Sequence, residues 1–567
     1  MTTRPFAWER SYPPTLSWDA PLRITTLGDL LDTAVARYGD RPFIEFRGRR
    51  IGFREFGARV DRTAAGLRKL GVGPGISVAL YLPNCPYHPL AFFGVMRAGG
   101  RVVHLSPLDP PRSLARKLTD SGARILVAPD YPTMLPQATQ LLADGFLDHL
   151  IIGEDAAWGA GPPTLPIPDD PRAIGFAAIE ADPTGAWPQA SPDDIAVLQY
   201  TGGTTGLPRA AMLTHANLTA AVSIYEAYYD GVGRQWGDTD RVIGVLPLFH
   251  IYMLSTVLLR CLAGGIEIML RLRFDPAQTL DDIEKGHATI FPGVPTMFIS
   301  LAAQPGIEGR DLSSLRVASC GGAPLPAEVA QRFEQLTHHR VGGGWGMTET
   351  SPAGTVMLPD QVFKPGAIGL PLPGIEMDVV DLTDTTRVLA AGEIGEIRIR
   401  GPNVTKGYWN RPEENAKAFV GDFFLTGDIG TMDDKGQFYI VDRKKDMIIS
   451  GGFNVYPRQI EDAVYEHPAV EECTVIGIPD AYRGQSAKAF VKLREDAAPF
   501  TLDELRGFLA DKLGRHEMPA ALEFRLALPR TAVGKLSRKE LVDEEAASAA
   551  PEEAVAIQAS PLQAVKG

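Results

Sequence analysis

The chain has 567 residues, 45% of them hydrophobic, enough to bury large cores in more than one domain without disulfide or metal staples. Its 56 basic and 69 acidic residues leave a net charge of −13, and residues 543–567 hold five acids against one lysine, which disfavours nucleic acid as a partner. Cys85, Cys261, Cys320 and Cys473 are scattered with no close pair, and MTTRPFAWERSYPP lacks the apolar core of a secretory signal, so a reduced, cytoplasmic protein is expected.

In chain order, Leu27 to Tyr38 and Phe53 to Leu70 predict amphipathic helices, ISVALYLP a buried strand, and PLAFFGVMRAG a helix stopped by Gly99-Gly100. RVVHLSP, RSLARKLTDSG and ARILVAP continue as strand, helix and strand. Apolar runs without period-2 alternation, joined by helices, indicate parallel α/β layers covered on both faces. Residues 159–192 are rich in Pro and Gly and predict a long surface connection. Val242 to Leu259 has 18 residues without a formal charge, but Pro247 divides it into a strand ending in LPLFH and a buried helix rather than a membrane span. From Gly366 the texture turns to short β-rich pieces, IEMDVVD, GEIGEIRIRG and GQFYIVD. DRKKD, Asp442 to Asp446, is all charge and predicts an exposed linker. A compact α+β unit follows it, and an Ala/Glu/Gln-rich tail from Glu544 is expected to be disordered. No internal repeat is visible. The fold class expected is α/β, with a large N-terminal domain (1–441) of α/β layers plus a β-rich subdomain. A hinge (442–446), a small mobile α+β C-terminal domain (447–543) and the tail (544–567) complete it.

YTGGTTGLPRAAMLTH, Tyr200 to His215, packs glycines and threonines into a loop able to gather backbone N–H groups and hydroxyls around an anion. It has neither the spacing nor the lysine of a Walker loop, and it reads as a hairpin tip. Read in order with ASCGGAPLP, GGWGMTETSP, FFLTGDIG, YIVDRKKDMIISGG and LPRTAVGKLSRKEL, it resembles the adenylate-forming superfamily of acyl-CoA synthetases, luciferases and peptide-synthetase adenylation domains. The resemblance runs from about Leu27 to Leu541.

The resemblance implies that a carboxylate and ATP form an acyl adenylate and pyrophosphate, after which a thiol displaces AMP. ATP, Mg²⁺ and coenzyme A are the implied cofactors. Thr201, Gly202, Gly203, Thr204, Thr205, Gly206 and Arg209 would face the β- and γ-phosphates, although Arg209 and Ala210 stand where Lys and Gly are usual, and Arg and Lys are not equivalent. Glu349 matches the Mg²⁺ ligand and Thr348 a phosphate contact. Trp345 and Gly346, with Gly322, Ala323 and Pro324 opposite, would enclose adenine. Asp428 and Arg443 would hold the ribose, and Lys445 is the hinge position. Lys535 would bridge the substrate carboxylate and the α-phosphate. The C-terminal domain would then rotate to present Gly451-Gly452 to the thiol channel. His250 would line the site near the carboxylate and thiol entry.

No Asp stands in LPLFHIYM to hold an amino acid's amine, and the texture there is most like medium- or long-chain fatty-acid CoA ligases, with Tyr252, Thr296 and Gly343 along the acyl tunnel. Dicarboxylate or aryl-acid CoA ligases, a carrier-dependent acyl-AMP ligase and an inactive nucleotide- or lipid-binding homologue are the alternatives. The expected partners are a fatty acid and CoA; peripheral association with the inner face of the membrane and a homodimer stay open.

Overall fold

The computed structural model describes residues 4–201, 209–323, 325, 327–359, 364, 366–531 and 536–548. The chain divides into two compact units, Met1–Ile440 and Val441–Gly567.

Two sheets dominate the first unit. One runs, in spatial order, Ala173–Gly175, His149–Gly153, Ile125–Pro129, Ser77–Leu80, Arg101–His104 and Ile195–Thr201, all parallel, with Arg209–Thr214 antiparallel at its edge. The other runs Val341–Trp345, Val317–Cys320, Ile290–Gly293, Arg241–Gly244, Glu267–Leu270 and Pro42–Phe46, again parallel, with Arg49–Gly52 antiparallel at its edge. The two sheets thus share one spatial order, a repeat of topology with no counterpart in the sequence. Strands such as SVAL and ILVAP are buried at every position, as strands covered on both faces must be.

The helices begin and end where their sequences dictate. Leu27–Tyr38 opens on a capping box between Thr26 and Asp29, and Pro111–Ser121 ends at Gly122, which takes the left-handed conformation at φ 67°. Past Val341–Trp345 the second sheet continues through Thr355–Val356 and Ala367–Pro371 into an antiparallel layer containing Glu376–Val380, Gly395–Arg400 and Phe423–Met432. This is the β-rich texture expected from Gly366 onward.

The second unit is built on Phe453–Val455, Ile448–Ser450, Gly484–Leu493, Val470–Asp480 and Ala521–Phe524, packed with the helices Pro457–Tyr465, Leu502–Leu509 and Arg538–Ser548. Gly451 and Gly452 form the two-residue turn between Ile448–Ser450 and Phe453–Val455, both at positive φ (58° and 85°), which this tight hairpin requires.

Three expectations need correction. Asp442 is not an exposed linker residue: it is 2% exposed, and Arg538 donates to it at 3.0 Å while also contacting Asp446 at 3.2 Å and Glu461 at 2.7 Å. A guanidinium with several donors can hold a carboxylate cluster inside, which a count of charges along the chain does not reveal. The tail does not lose structure at Glu544, because Arg538–Ser548 carries helix past it and Glu544 and Glu545 pair with Arg525 and Lys488. The 159–192 connection contains the strand Ala173–Gly175, added to the edge of the first sheet, and a helical turn, Phe176–Ile179. The Val242 to Leu259 run divides near Pro247 into the strand Arg241–Gly244 and a helical stretch from Ile251. Among the described residues no helix is long and apolar enough to cross a membrane.

Candidate active site

In the second sheet the chain reverses its direction of growth at Arg241–Gly244, which has Glu267–Leu270 on one side and Ile290–Gly293 on the other. Such a switch point leaves a crevice beyond the carboxyl ends of the strands, where ligands of open α/β sheets bind. The sequence-chosen residues gather there. His250 and Tyr252 follow Arg241–Gly244, and Thr296 follows Ile290–Gly293. Gly322 and Ala323 follow Val317–Cys320, and Trp345 to Glu349 close Val341–Trp345 and begin what comes after it. The register aligns Gly293, Cys320 and Gly343 across three neighbouring strands.

Tyr252 lies against this row: its Oη is 3.4 Å from Ser319 Oγ, and its ring packs so closely on Gly321 that an added Cβ would come within 2.8 Å of it. At Gly343, by contrast, a Cβ would meet only ordinary contacts at 3.7 and 3.8 Å, so protein packing does not demand glycine there. Gly346 has the opposite reason. A Cβ there would fall 1.4 Å from the Pro352 carbonyl oxygen, so packing explains this glycine without a nucleotide. His250 is not a strand residue. It caps the helical turn Ile251–Met253 through Nδ1, which accepts from the Tyr252 N–H at 3.2 Å. The carbonyl of Phe249 just before it accepts from Gln199 Nε2 at 2.8 Å, and Gln199 Oε1 in turn pairs with His104 Nδ1 at 2.8 Å. The first sheet therefore reaches across to hold the crevice loop of the second.

Glu349 is 5% exposed in a short 3-10 turn with Thr348, and its Oε1 accepts from Tyr408 Oη at 2.7 Å. Burial, then the neighbouring Glu349 charge, raises the Tyr408 phenol well above its ordinary range, so it stays a donor. The Arg209 guanidinium lies over the same ring at 4.6 Å and donates to Glu414 at 3.0 Å, while its Nε has no acceptor among the described residues. One tyrosine, absent from the sequence-based set, thus joins Arg209 to Glu349. Its position is fixed by backbone: Asn415 Oδ1 accepts from Tyr408 N at 2.7 Å, and Trp409 N donates to Ala210 O at 2.9 Å. The local signal in KGYWN, two aromatics after a glycine, carries no period that would have revealed it.

Trp345 and Asp428, expected to touch adenine and ribose, touch each other: the indole Nε1 donates to Asp428 Oδ2 at 2.8 Å, and Asp428 is 3% exposed. Thr201 pairs with Arg209 across the antiparallel arms, so the hairpin reading holds for the residues flanking the loop. Gly202, Gly203, Thr204, Thr205, Gly206, Pro324 and Lys535 lie outside the described residues. In the second unit Arg443 and Lys445 are exposed.

For a divalent cation, Glu349 is one buried carboxylate oxygen donor, and among the described residues no group of three or more His, Cys, Asp or Glu could hold a metal. That donor set fits Mg²⁺, which keeps waters and takes most of its remaining ligands from phosphates.

Around the switch-point crevice stand the arms of a glycine- and threonine-rich hairpin, a buried acid and a paired Trp and Asp, and the comparisons with known proteins give the class: an AMP-binding ligase. The profile of the family described as AMP-binding enzyme matches residues 31–409, and that of the AMP-binding enzyme C-terminal domain matches residues 459–535; the chain belongs to this family. It is 37% identical to the long-chain-fatty-acid–CoA ligase of Bacillus subtilis over 556 residues, covering 95% of this chain and 98% of that one. It is also 37% identical to the feruloyl-CoA synthase of an Amycolatopsis species over 497 residues, covering 87% and 94%. Among solved structures, ATP-bound MatB from Rhodopseudomonas palustris superimposes with a TM-score of 0.80 at 29% identity, over 91% of this chain and 98% of that one.

Proposed function

We propose that this chain is an ATP-dependent fatty-acid CoA ligase that works through an acyl adenylate, releasing pyrophosphate and then AMP. The observation that supports the reading is the Arg209–Tyr408–Glu349 connection, which joins a cation and a carboxylate through one buried ring, as a phosphate contact and a metal ligand would need to be joined. Likeness over nearly the full chain to a long-chain-fatty-acid–CoA ligase supports the substrate class.

The chemistry required is the approach of two anions, a carboxylate and a triphosphate. Arg209 would draw the β- and γ-phosphates through the forked donors of its guanidinium. Glu349 would hold Mg²⁺, with Tyr408 fixing the orientation of the carboxylate; when bound, the ion offsets charge on the phosphates. Asp428, steadied by Trp345, would accept from the ribose hydroxyls while the indole face meets adenine. Lys535 would neutralise charge between the carboxylate and the α-phosphate in the first step only, and Lys445 would serve as the pivot that removes it. His250, Tyr252, Thr296 and Gly343 would line the acid's path. Four buried, free cysteines fit a reducing cytoplasmic setting. Sizing chromatography would read a homodimer and vesicle co-sedimentation a peripheral membrane contact.

The test is pyrophosphate release with and without CoA across straight-chain, aryl and amino acids. Release that peaks for a fatty acid and yields its CoA thioester supports the reading. Adenylate that never passes to CoA would move it to a carrier-dependent ligase, and no release from any acid would leave an inactive binding protein.

A further inference from the structure

The helical run beyond the crevice carries a charge that the ligase reading does not use. Arg260 begins Arg260–Gly264, continuous with the π-helical segment Leu254–Leu259 and with Ile251–Met253, so it shares one helical run with Tyr252. It is 7% exposed. Its guanidinium lies against Tyr229 at 4.6 Å and Trp236 at 4.8 Å. Among the described residues it forms no ion pair or side-chain hydrogen bond, and its Nε is buried without an acceptor. Trp236 Nε1 is likewise buried without one. Glu226, close enough to feel the Arg260 charge, does not pair with it and instead lines a separate cavity with Arg23, Thr33 and Arg37.

Burying a guanidinium without a hydrogen-bonded counter-charge is costly, and aromatic faces offset only part of that cost. Two neighbouring side chains that are donors only call for an acceptor, and a forked guanidinium beside an indole N–H suits a carboxylate. The run also points to where that carboxylate comes from. Arg260 stands eight residues beyond Tyr252, about 12 Å along the axis at ~1.5 Å per residue. The intervening π-helical segment is an irregularity that often marks functional sites. Tyr225, Tyr229, Trp236 and Tyr252 all pack, half-buried, against the same hydrophobic core.

We propose that Arg260, with Trp236, receives the distal carboxylate of an α,ω-dicarboxylic fatty acid whose other carboxylate is activated at the ligase site. The proposal rests on the ligase reading, and its test separates the two.

For the full chain, kcat/KM for thioester formation is measured with monocarboxylic and α,ω-dicarboxylic acids of matched length, in wild type, Arg260→Leu and Trp236→Phe. The ratio of dicarboxylate to monocarboxylate is expected to fall at least tenfold in Arg260→Leu. It should fall several-fold in Trp236→Phe, which keeps an aromatic face for the guanidinium and removes the indole N–H. A ratio unchanged in both variants overturns the proposal. Acetate that binds wild type but not Arg260→Leu, as read by calorimetry, while the ratio stays unchanged, assigns the site to a free anion and overturns the substrate assignment. Wild-type protein that releases no pyrophosphate with any acid overturns the ligase reading itself, a result distinct from an unchanged ratio.

Discussion

Tyr408 makes a connection that neither of its partners could make alone. Its hydroxyl fixes Glu349 and its ring carries Arg209, so removing the hydroxyl should separate the two functions. Hydrogen bonds to charged groups contribute about 1.5–3 kcal/mol, and 1.4 kcal/mol is tenfold. Tyr408→Phe is therefore expected to raise the Mg²⁺ concentration needed for half-maximal pyrophosphate release by about tenfold, with the thioester step from supplied acyl adenylate spared. An unchanged Mg²⁺ curve would remove Tyr408 from the site. Glu349, Asp428 and Trp345 were legible in the sequence because short ordered motifs carry them. Their partners were less so. The Trp345–Asp428 bond joins positions 83 residues apart, and nothing local specifies it. Arg209 marks the limit of motif reading: it departs from the usual lysine, and only the fold shows that Glu414 and Tyr408 hold it.

The strands and helices of the first unit were legible because each alternates with the next and has its own apolar run and stop signal. What the runs could not show is how elements brace one another. His104, on Arg101–His104, pairs with Gln199 on the adjacent strand, which holds the Phe249 carbonyl at the crevice. His104 is buried and stacks on buried His88 at 5.0 Å; burial lowers both imidazoles, His104 to about 4 from 6.5. The unfolded chain therefore binds these protons more readily than the fold. The stability present above pH 6.5 is lost as pH falls through the window down to about 4, by on the order of 3 kcal/mol for His104 alone. His104→Gln removes that titration and is expected to flatten the acid side of a denaturant-midpoint series run between pH 7 and 4.5. A slope equal to wild type would mean that this ring does not set it. The 159–192 stretch misled for a related reason: three residues of edge strand need almost no local signal when a formed sheet supplies their hydrogen bonds.

At the scale of the molecule, the division at residue 440 separates the crevice from the segment that holds Arg443, Lys445 and Lys535. Arg538, three residues beyond Lys535, binds Asp442 and Asp446, so within the second unit the proposed pivot and the segment leading from the lysine are tied together by charge. That arrangement suits a lysine that works in one step and is withdrawn in the next. Lys535→Ala should abolish adenylate formation while largely sparing thioester formation from supplied acyl adenylate; equal loss in both half-reactions would contradict a role confined to the first. The sequence set the boundary at the charged run Asp442 to Asp446, and the chain divides between Ile440 and Val441, just before it. The Asp442 burial was not legible, because Arg538 lies 96 residues away.

Attack of the acid's own oxygen on the α-phosphate is the central claim, and isotope transfer reads it directly. The full chain is given ATP, Mg²⁺, CoA and a fatty acid labelled with oxygen-18 in its carboxylate, and the nucleotide product is examined by mass spectrometry. AMP carrying one labelled oxygen and pyrophosphate carrying none is the expected result. Unlabelled AMP, or label in a phosphate released with ADP, would contradict the claim.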